Sequence, residues 1–485
     1  MLFNSVSFAI FLPIVFLLYW FVTNKSLSAQ NLILLVSSYF FYAYWDYRFL
    51  FLLMFSTLLD FFTGIKMNET ENQKRKKFWF WLSVIINLGF LGIFKYYNFF
   101  AISFAEALSK VGIKANFWTL QVILPVGISF YTFHGLSYVI DIYNNRIKPV
   151  RNFVEYAVFV SFFPLLVAGP IERATHLLPQ IQRKRQFDYA KAIDGLRQIL
   201  WGLFKKVVIA DNVADYVNTI FNNSSHYGGS TLLLGAIFFA FQIYCDFSGY
   251  SDIAIGTARL FGIDLLRNFA FPYFSRDIAE FWRRWHISLS SWFRDYLYIP
   301  LGGSKSGKLK SVRNIFIIFI VSGFWHGANW TFIAWGALNA FYFLPLLLLK
   351  RNRHNLEIVA AGNKWPTLND FFNISLTFGL TVFAWIFFRS ESISKAFSII
   401  GKIFSTSIFT KPQGNAFIST FHPLVIFTLV GIFLLVEWIG REGQYAISFI
   451  GRKWSNPVKW VFYYSLVFSI FYFAGEKREF IYFQF

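Results

Sequence analysis

The stretch Val321 to Ala340, VSGFWHGANWTFIAWGALNA, decides how this chain is read. It holds no acidic side chain, lysine or arginine, and it is about as long as the roughly 20 mostly apolar residues a helix needs to cross a bilayer. Yet His326 sits near one end, between a tryptophan and a glycine. An ionisable ring at membrane depth is costly and marks a function by default. Against that, a lone histidine at a membrane edge is most often a hydrogen-bonded or snorkelling residue.

Working outward, the rest of the chain has the same character. Its 485 residues are 56% hydrophobic and 14% charged, against about 25% charged in ordinary soluble proteins. Mean hydropathy is +0.48. Apolar blocks near 6–23, 30–45, 48–65, 78–97, 119–143, 195–210, 230–247, 314–324, 330–349, 371–389, 423–438 and 457–474 suggest roughly 11 to 13 membrane segments, some short or re-entrant. The expected class is an all-α polytopic membrane protein, with residues 1–485 forming one integral domain. The first block lacks a basic leader and a small-residue cleavage site, so it reads as a retained span. The block 152–180 is broken by Pro164 and by Gly169-Pro170, which fits a broken helix lining a cavity better than a plain span.

The formal charge is +20. The basic residues lie mostly in short loops, as the positive-inside rule and anionic lipids favour, so no nucleic-acid partner is expected. Loop 66–77, with five basic residues, is placed in the cytoplasm, and counting spans back puts the N-terminus outside. The single cysteine, Cys245, rules out an intrachain disulfide and a cysteine metal cluster, and reads as a packing residue. No metal is expected.

One segment differs from the spans. Residues 275–314 carry Arg276, Arg283, Arg284, Arg294, Lys305, Lys308, Lys310 and Arg313, opposed only by Asp277, Glu280 and Asp295. At helical spacing Trp282, Trp285 and Leu289 form one apolar stripe with His286 at its end. Two readings fit: a basic-aromatic helix lying in the headgroup layer, or a cytoplasmic mouth whose guanidinium forks attract an anionic donor. Imidazole suits proton removal from a hydroxyl near neutral pH, which makes His326 and His286 candidate catalytic groups. Gly323 and Gly327 lack bulk and would let a substrate approach His326. Asn329, about one turn on, would orient the ring.

At these residues the chain resembles the membrane-bound O-acyltransferase family. FWRRWHISLSSWFRDYLYIPLGG (281–303) and SGFWHGANWTFIAWGALNA (322–340) look like its two signature segments. The likeness is to the bacterial branch typified by alginate O-acetyltransferase and by D-alanyl transfer to teichoic acid. LPVGISFYTFHGLSYVIDIY (124–143), FFPLLVAGPIERA (162–174), YCDFSGYSDIAIG (244–256) and EFIYFQF (479–485) extend it over nearly the whole chain. His134 and Gly135 depart from that pattern, and His134 reads as an interhelical hydrogen-bond partner.

The resemblance implies a multi-pass enzyme of a bacterial inner membrane. His326 would be the catalytic histidine inside a membrane-crossing tunnel, and His286 a second histidine on its cytoplasmic side. It implies no tightly bound cofactor. The acyl donor would be acetyl-CoA or a carrier-protein thioester from the cytoplasm, and the acceptor an exported polysaccharide reached directly or through a periplasmic acyltransferase partner. Asn329, Trp325 and His286 are candidate oxyanion donors; Trp285, Arg283, Arg284 and Asp246 are candidate binding or tunnel residues. Asp246 and Asp252 could equally be caps or interhelical partners, and the aromatic tail either a docking element or an interfacial anchor. The alternatives are D-alanyl transfer, or a lipid or glycan transporter, which would show paired broken helices in two related halves.

Overall fold

The computed structural model describes residues 1–113, 119–120, 123–167, 169–304, 307–417 (the side chains of 415 and 417 aside), 421–451, 454–475 and 478–481. Among them every regular element is a helix. Five helices are long and apolar enough to cross a membrane: Arg48–Glu69, Gln73–Lys110, Gly229–Leu260, Trp330–Leu348 and Leu368–Arg389. Shorter apolar helices are Val6–Val22, Leu27–Ala43 and Pro423–Ile439. The described residues group into two compact units, residues 1–192 with 257–266, and residues 193–256 with 267–485.

The first unit contains α1 (Val6–Leu17), α2 (Leu27–Ala43), α3 (Arg48–Glu69), α4 (Gln73–Leu91), α5 (Tyr97–Lys110), α6 (Ile128–Tyr143), α7 (Phe153–Ser161), α8 (Phe163–Leu166) and α9 (Ala174–Ile181). Its logic is that of a protein in lipid. On α3, Phe51, Phe55, Leu58 and Phe62 form an exposed apolar stripe, while Thr57, Asp60, Thr63 and Gly64 face inward. Asp60 accepts hydrogen bonds from Ser83 (2.6 Å) and Asn87 (2.8 Å) of α4. Polar groups here join helices, because lipid offers them no other partner.

Several expected boundaries move. The block at 78–97 is part of one unbroken helical stretch, Gln73–Lys110, with a π-helical turn at Gly92–Tyr96 joining α4 to α5. The block at 119–143 turns helical only at Ile128, because Gly127 is left-handed (φ 74°) and leaves the helix direction. Residues 121 and 122 lie outside the described ones. The break in 152–180 is present: non-helical chain separates α8 from α9 around Pro170. Arg185 is buried and bonds to the Tyr19 hydroxyl (2.5 Å) and to Asn31 (2.6 Å). His134 takes the expected hydrogen-bonded role, its Nε2 accepting from the Glu172 backbone N–H at 3.1 Å.

In the second unit follow most of α10 (Tyr189–Leu203), a π-helical stretch (Phe204–Ala210), α11 (Asp211–Asn222) and α12 (Gly229–Leu260), whose last residues return to the first unit. Then come α13 (Ile278–Arg284), α14 (Ile287–Phe293), α15 (Lys308–His326), α16 (Trp330–Leu348), α17 (Leu368–Arg389), α18 (Ile393–Ile403), α19 (Pro423–Ile439) and α20 (Asn456–Tyr472). The apolar block 195–210 conceals two buried lysines on the π-helical stretch. Lys205 pairs with Asp252 (2.5 Å) and Lys206 with Asp246 (2.7 Å) and Asp211 (2.8 Å). Asp252 is therefore an interhelical ion-pair partner. Cys245 is buried and free.

Candidate active site

The two signature segments fold as two breaks. In the first, α13 stops at Arg284, Trp285 is extended, and His286 is left-handed (φ 43°, ψ 54°) before α14 begins. Two backbone bonds hold this kink against residues 268–270: Ala270 N–H to Arg284 O (2.9 Å) and Ile287 N–H to Asn268 O (2.9 Å). A non-glycine residue held left-handed is mildly strained, and such strain collects at functional sites. The break also divides the expected stripe. Trp282 packs against Phe319 (5.3 Å between ring centres) and Trp335 (5.6 Å). Trp285 instead packs among Phe269 (5.1 Å), Phe281 (5.5 Å) and Trp385 (5.1 Å) and is fully buried.

In the second break, His326 is the last residue of α15 and Gly327 is extended. Asn329 caps α16, its side-chain oxygen accepting from Thr331 N–H (3.0 Å) and its amide donating to Glu391 O (3.0 Å). The turn thus carries Asn329 into capping α16 rather than into orienting the imidazole. The glycines are filled as well. A Cβ on Gly323 would lie 3.0 Å from the Phe332 carbonyl carbon and 3.4 Å from Gly336 Cα, and one on Gly327 would overlap the Phe332 ring. These glycines admit α16, not substrate. Close helix approach over small residues is the usual membrane packing mode.

His326 is 3% exposed, its ring edge-on to Trp335 (5.2 Å), Phe388 (5.3 Å) and Trp325 (4.9 Å). His286 is 1% exposed, against Phe247 (4.7 Å) and, at 5.9 Å, the same Trp325. Residues 40 apart in sequence therefore pack against one indole.

Beside them lies a cavity of about 870 Å³, within the ~300–1,000 Å³ typical of ligand sites. Lys308, Ser311, Ile315, Phe319 and Ser322 line it along one face of α15. From Lys308 to Ser322 that face runs about 21 Å at 1.5 Å per residue. His326 is the next position on the same face, four residues past Ser322. The lining stops at Ser322; Trp282, a wall residue, touches Trp335, which touches His326.

The cavity's rim carries Arg283, Arg294, Lys308, Lys350 and Arg353. Arg294 pairs with Asp295 at 2.7 Å. Lys308, Lys350 and Arg353 are exposed and form no ion pair among the described residues. Lys305 lies outside those residues. Arg283 donates to the carbonyls of Asn352 (2.7 Å) and Asn355 (2.6 Å). Arg284 bonds to Glu280 (2.7 Å) and to the Glu357 carbonyl (3.1 Å). The two arginines expected to hold donor phosphates thus fasten the 352–357 loop; Arg283 still borders the cavity, and Arg284 does not.

Asp246 lies elsewhere. Besides pairing with Lys206, it accepts from Ile481 N–H at 2.7 Å, and Phe480 packs on Tyr250 (4.6 Å) and Phe247 (5.7 Å). The described part of the C-terminal motif is therefore docked; residues 482–485 lie outside the description. Asp246 borders a smaller polar cavity of about 180 Å³ with Gln242, Asn218 and Arg478.

The family assignment follows from comparison as well. Residues 146–388 match the model of the membrane-bound O-acyltransferase family. Over 443 residues, 91% of this chain and 82% of the relative, it is 37% identical to a probable alginate O-acetylase of Pseudomonas syringae pv. tomato. The chain belongs to the membrane-bound O-acyltransferase family. It is an all-helical, multi-pass O-acyltransferase. It is also 36% identical to a peptidoglycan O-acetyltransferase of Helicobacter pylori, over 82% of this chain and 79% of that one. A teichoic acid D-alanyltransferase of Bacillus subtilis is 28% identical over 55% of this chain and 69% of its own.

Lys206, Asn268 and Ser322 escaped the sequence reading. A lysine pair inside an apolar block was a usable signal. Asn268 and Ser322 carried none; only the fold sets them beside His286 and before His326.

Proposed function

We propose that this protein transfers an acetyl group from a cytoplasmic thioester, acetyl-CoA or a loaded carrier protein, to hydroxyls of an exported cell-surface glycan, directly or through a second acyltransferase outside. The observation that carries the reading is the single face of α15 that runs from the Lys308 rim, past Ile315 and Phe319, to Ser322 and then His326. Exposed cations suit the phosphates of the donor. Apolar walls suit its uncharged arm. The acetyl choice follows the relatives named for O-acetyl transfer to alginate and to peptidoglycan.

In the reaction His326 takes the proton of the acceptor hydroxyl as its oxygen attacks the thioester carbonyl. Collapse of the tetrahedral adduct breaks the C–S bond, and the proton passes to the departing thiolate. Products are the O-acyl ester and the free thiol. Trp282 and Trp335 must give way for the thioester to reach the ring.

The test uses purified protein in liposomes with labelled acetyl thioester and a glycan acceptor. His326→Ala should lose transfer at normal membrane insertion, and a D-alanyl-loaded carrier should be a poor donor. Full activity of the His326→Ala protein would end the mechanism; preference for D-alanyl would change the substrate.

A further inference from the structure

The His286 ring is held from one side only. Its Nδ1 lies 2.9 Å from Asn268 Oδ1, which also accepts from the Ser288 hydroxyl at 2.9 Å. The Asn268 amide nitrogen donates to Ser251 at 3.0 Å. Asn268 is fully buried, and its own carbonyl accepts from Ile287 N–H at 2.9 Å. One residue therefore grips the His286 kink through both backbone and side chain. Nε2, on the opposite edge of the ring, is buried with no hydrogen-bond partner among the described residues. Aromatic rings of Phe247, Phe269 and Trp325 pack against the imidazole.

An amide oxygen only accepts, so the imidazole nitrogen facing it must carry the hydrogen. In a neutral ring the other nitrogen is then a bare lone pair. We infer that Asn268 is a positioning residue that fixes His286 as the Nδ1–H tautomer, so that Nε2 is presented as an acceptor for an O–H or S–H group of substrate. His286 then cannot serve as an oxyanion donor, the role that sequence alone left open for it. A buried orphan acceptor carries a desolvation penalty. A bound hydroxyl would relieve that penalty and not merely replace an existing bond. The proposal rests on the acyl-transfer reading for what binds at Nε2, but the tautomer stands apart from it.

The experiment is nitrogen-15 NMR of histidine-labelled protein in detergent, with the His286 signals assigned by their loss in His286→Asn. Asparagine tolerates the left-handed backbone, so that variant keeps the kink. The expected wild-type spectrum has Nδ1 protonated and Nε2 bare. Asn268→Leu should release the ring to a tautomer mixture. Asn268→Asp should keep the Nδ1–H form and restore transfer. Its carboxylate stabilises the imidazolium, so the acidic limb of the kcat/KM profile should move to higher pH. A wild-type spectrum with hydrogen on Nε2 means that the amide is turned over, and it overturns the proposal. Unchanged tautomer and pH profile in Asn268→Leu would do the same. The expected spectrum together with an inactive-site result, full transfer by His286→Asn, would instead refute only the catalytic use of the ring.

Discussion

Gly323→Ala adds one methyl group at the crossing of α15 and α16, three residues before His326. Built on the structure, that Cβ lies 3.0 Å from the Phe332 carbonyl carbon and nearer still to its oxygen, where ordinary contact begins at 3.4 Å. The obstacle is backbone, which has no rotamer to change. Relief needs the helices to part by roughly 1 Å, since interiors have no slack to absorb it. Overpacking of this kind costs about 1–3 kcal/mol. Replacing a helical glycine by alanine returns about 1 kcal/mol. The net loss of stability is then small, ~0–2 kcal/mol, and a melting curve alone decides little. Activity decides. His326 ends the displaced helix, and a shift of ~1 Å at a reacting group can cost about a hundredfold in rate. Gly336→Ala, facing the Phe319 carbonyl carbon at 3.0 Å, should behave alike. Gly379→Ala and Gly431→Ala, on α17 and α19 with nothing within 4 Å, are the controls and should keep full rate. Transfer per inserted molecule is the assay. Wild-type turnover in Gly323→Ala would refute the claim that this hairpin sets the position of the ring.

Other perturbations follow from the same geometry. Glu280 is buried between Arg276 (3.1 Å) and Arg284 (2.7 Å), so Glu280→Ala strands two guanidinium groups and should destabilise by about 3–5 kcal/mol, read as a lowered Tm in detergent. Replacing Lys308, Lys350 and Arg353 together by glutamine should raise KM for a phosphate-bearing thioester about tenfold to hundredfold at unchanged kcat. The salt dependence of KM should flatten with it. Outside the spans, on α9, the Glu172 carboxylate 2.8 Å from His176 holds that ring above its usual range. The folded state thus favours the charged ring. Its contribution to stability is full below the ordinary value of ~6.5 and fades as pH rises through the folded value. His176→Gln should therefore lower Tm at pH 5.5 and much less at pH 9.

Composition and apolar run length were enough for the helical membrane class, because both report directly on the solvent the chain meets. They misplaced boundaries where single residues redirect the backbone. Gly127 starts α6 late, and nothing in the run Gln73–Lys110 stops a helix that the hydropathy window cut short. The histidines stood out because ionisable rings are rare in such surroundings. Their neighbours did not. Helical spacing placed Trp282, Trp285 and Leu289 on one stripe, yet a left-handed His286 breaks the register, and no local pattern encodes a conformation imposed by the distant backbone of Asn268 and Ala270. The same limit applies to Arg283 and Arg284. Sequence shows a charge; only the fold shows that the 352–357 carbonyls already occupy it.

Both histidines pack against the Trp325 indole, with centre-to-centre distances of 4.9 Å for His326 and 5.9 Å for His286. Aromatic rings crowd both imidazoles, and burying two charges among them would be costly. A single proton taken by one ring therefore opposes a second on the other, whichever takes the first. On the proposed mechanism His326, on the cavity face of α15, is the ring that takes the acceptor proton. His286, gripped by Asn268, then presents a neutral lone pair to an O–H or S–H group of substrate, as inferred above. Trp325 touches both rings, and on the proposed mechanism its bulk would shield the thioester from water. On that mechanism the indole supports the chemistry without exchanging a proton with substrate, and Trp325→Ala should lower transfer relative to thioester hydrolysis.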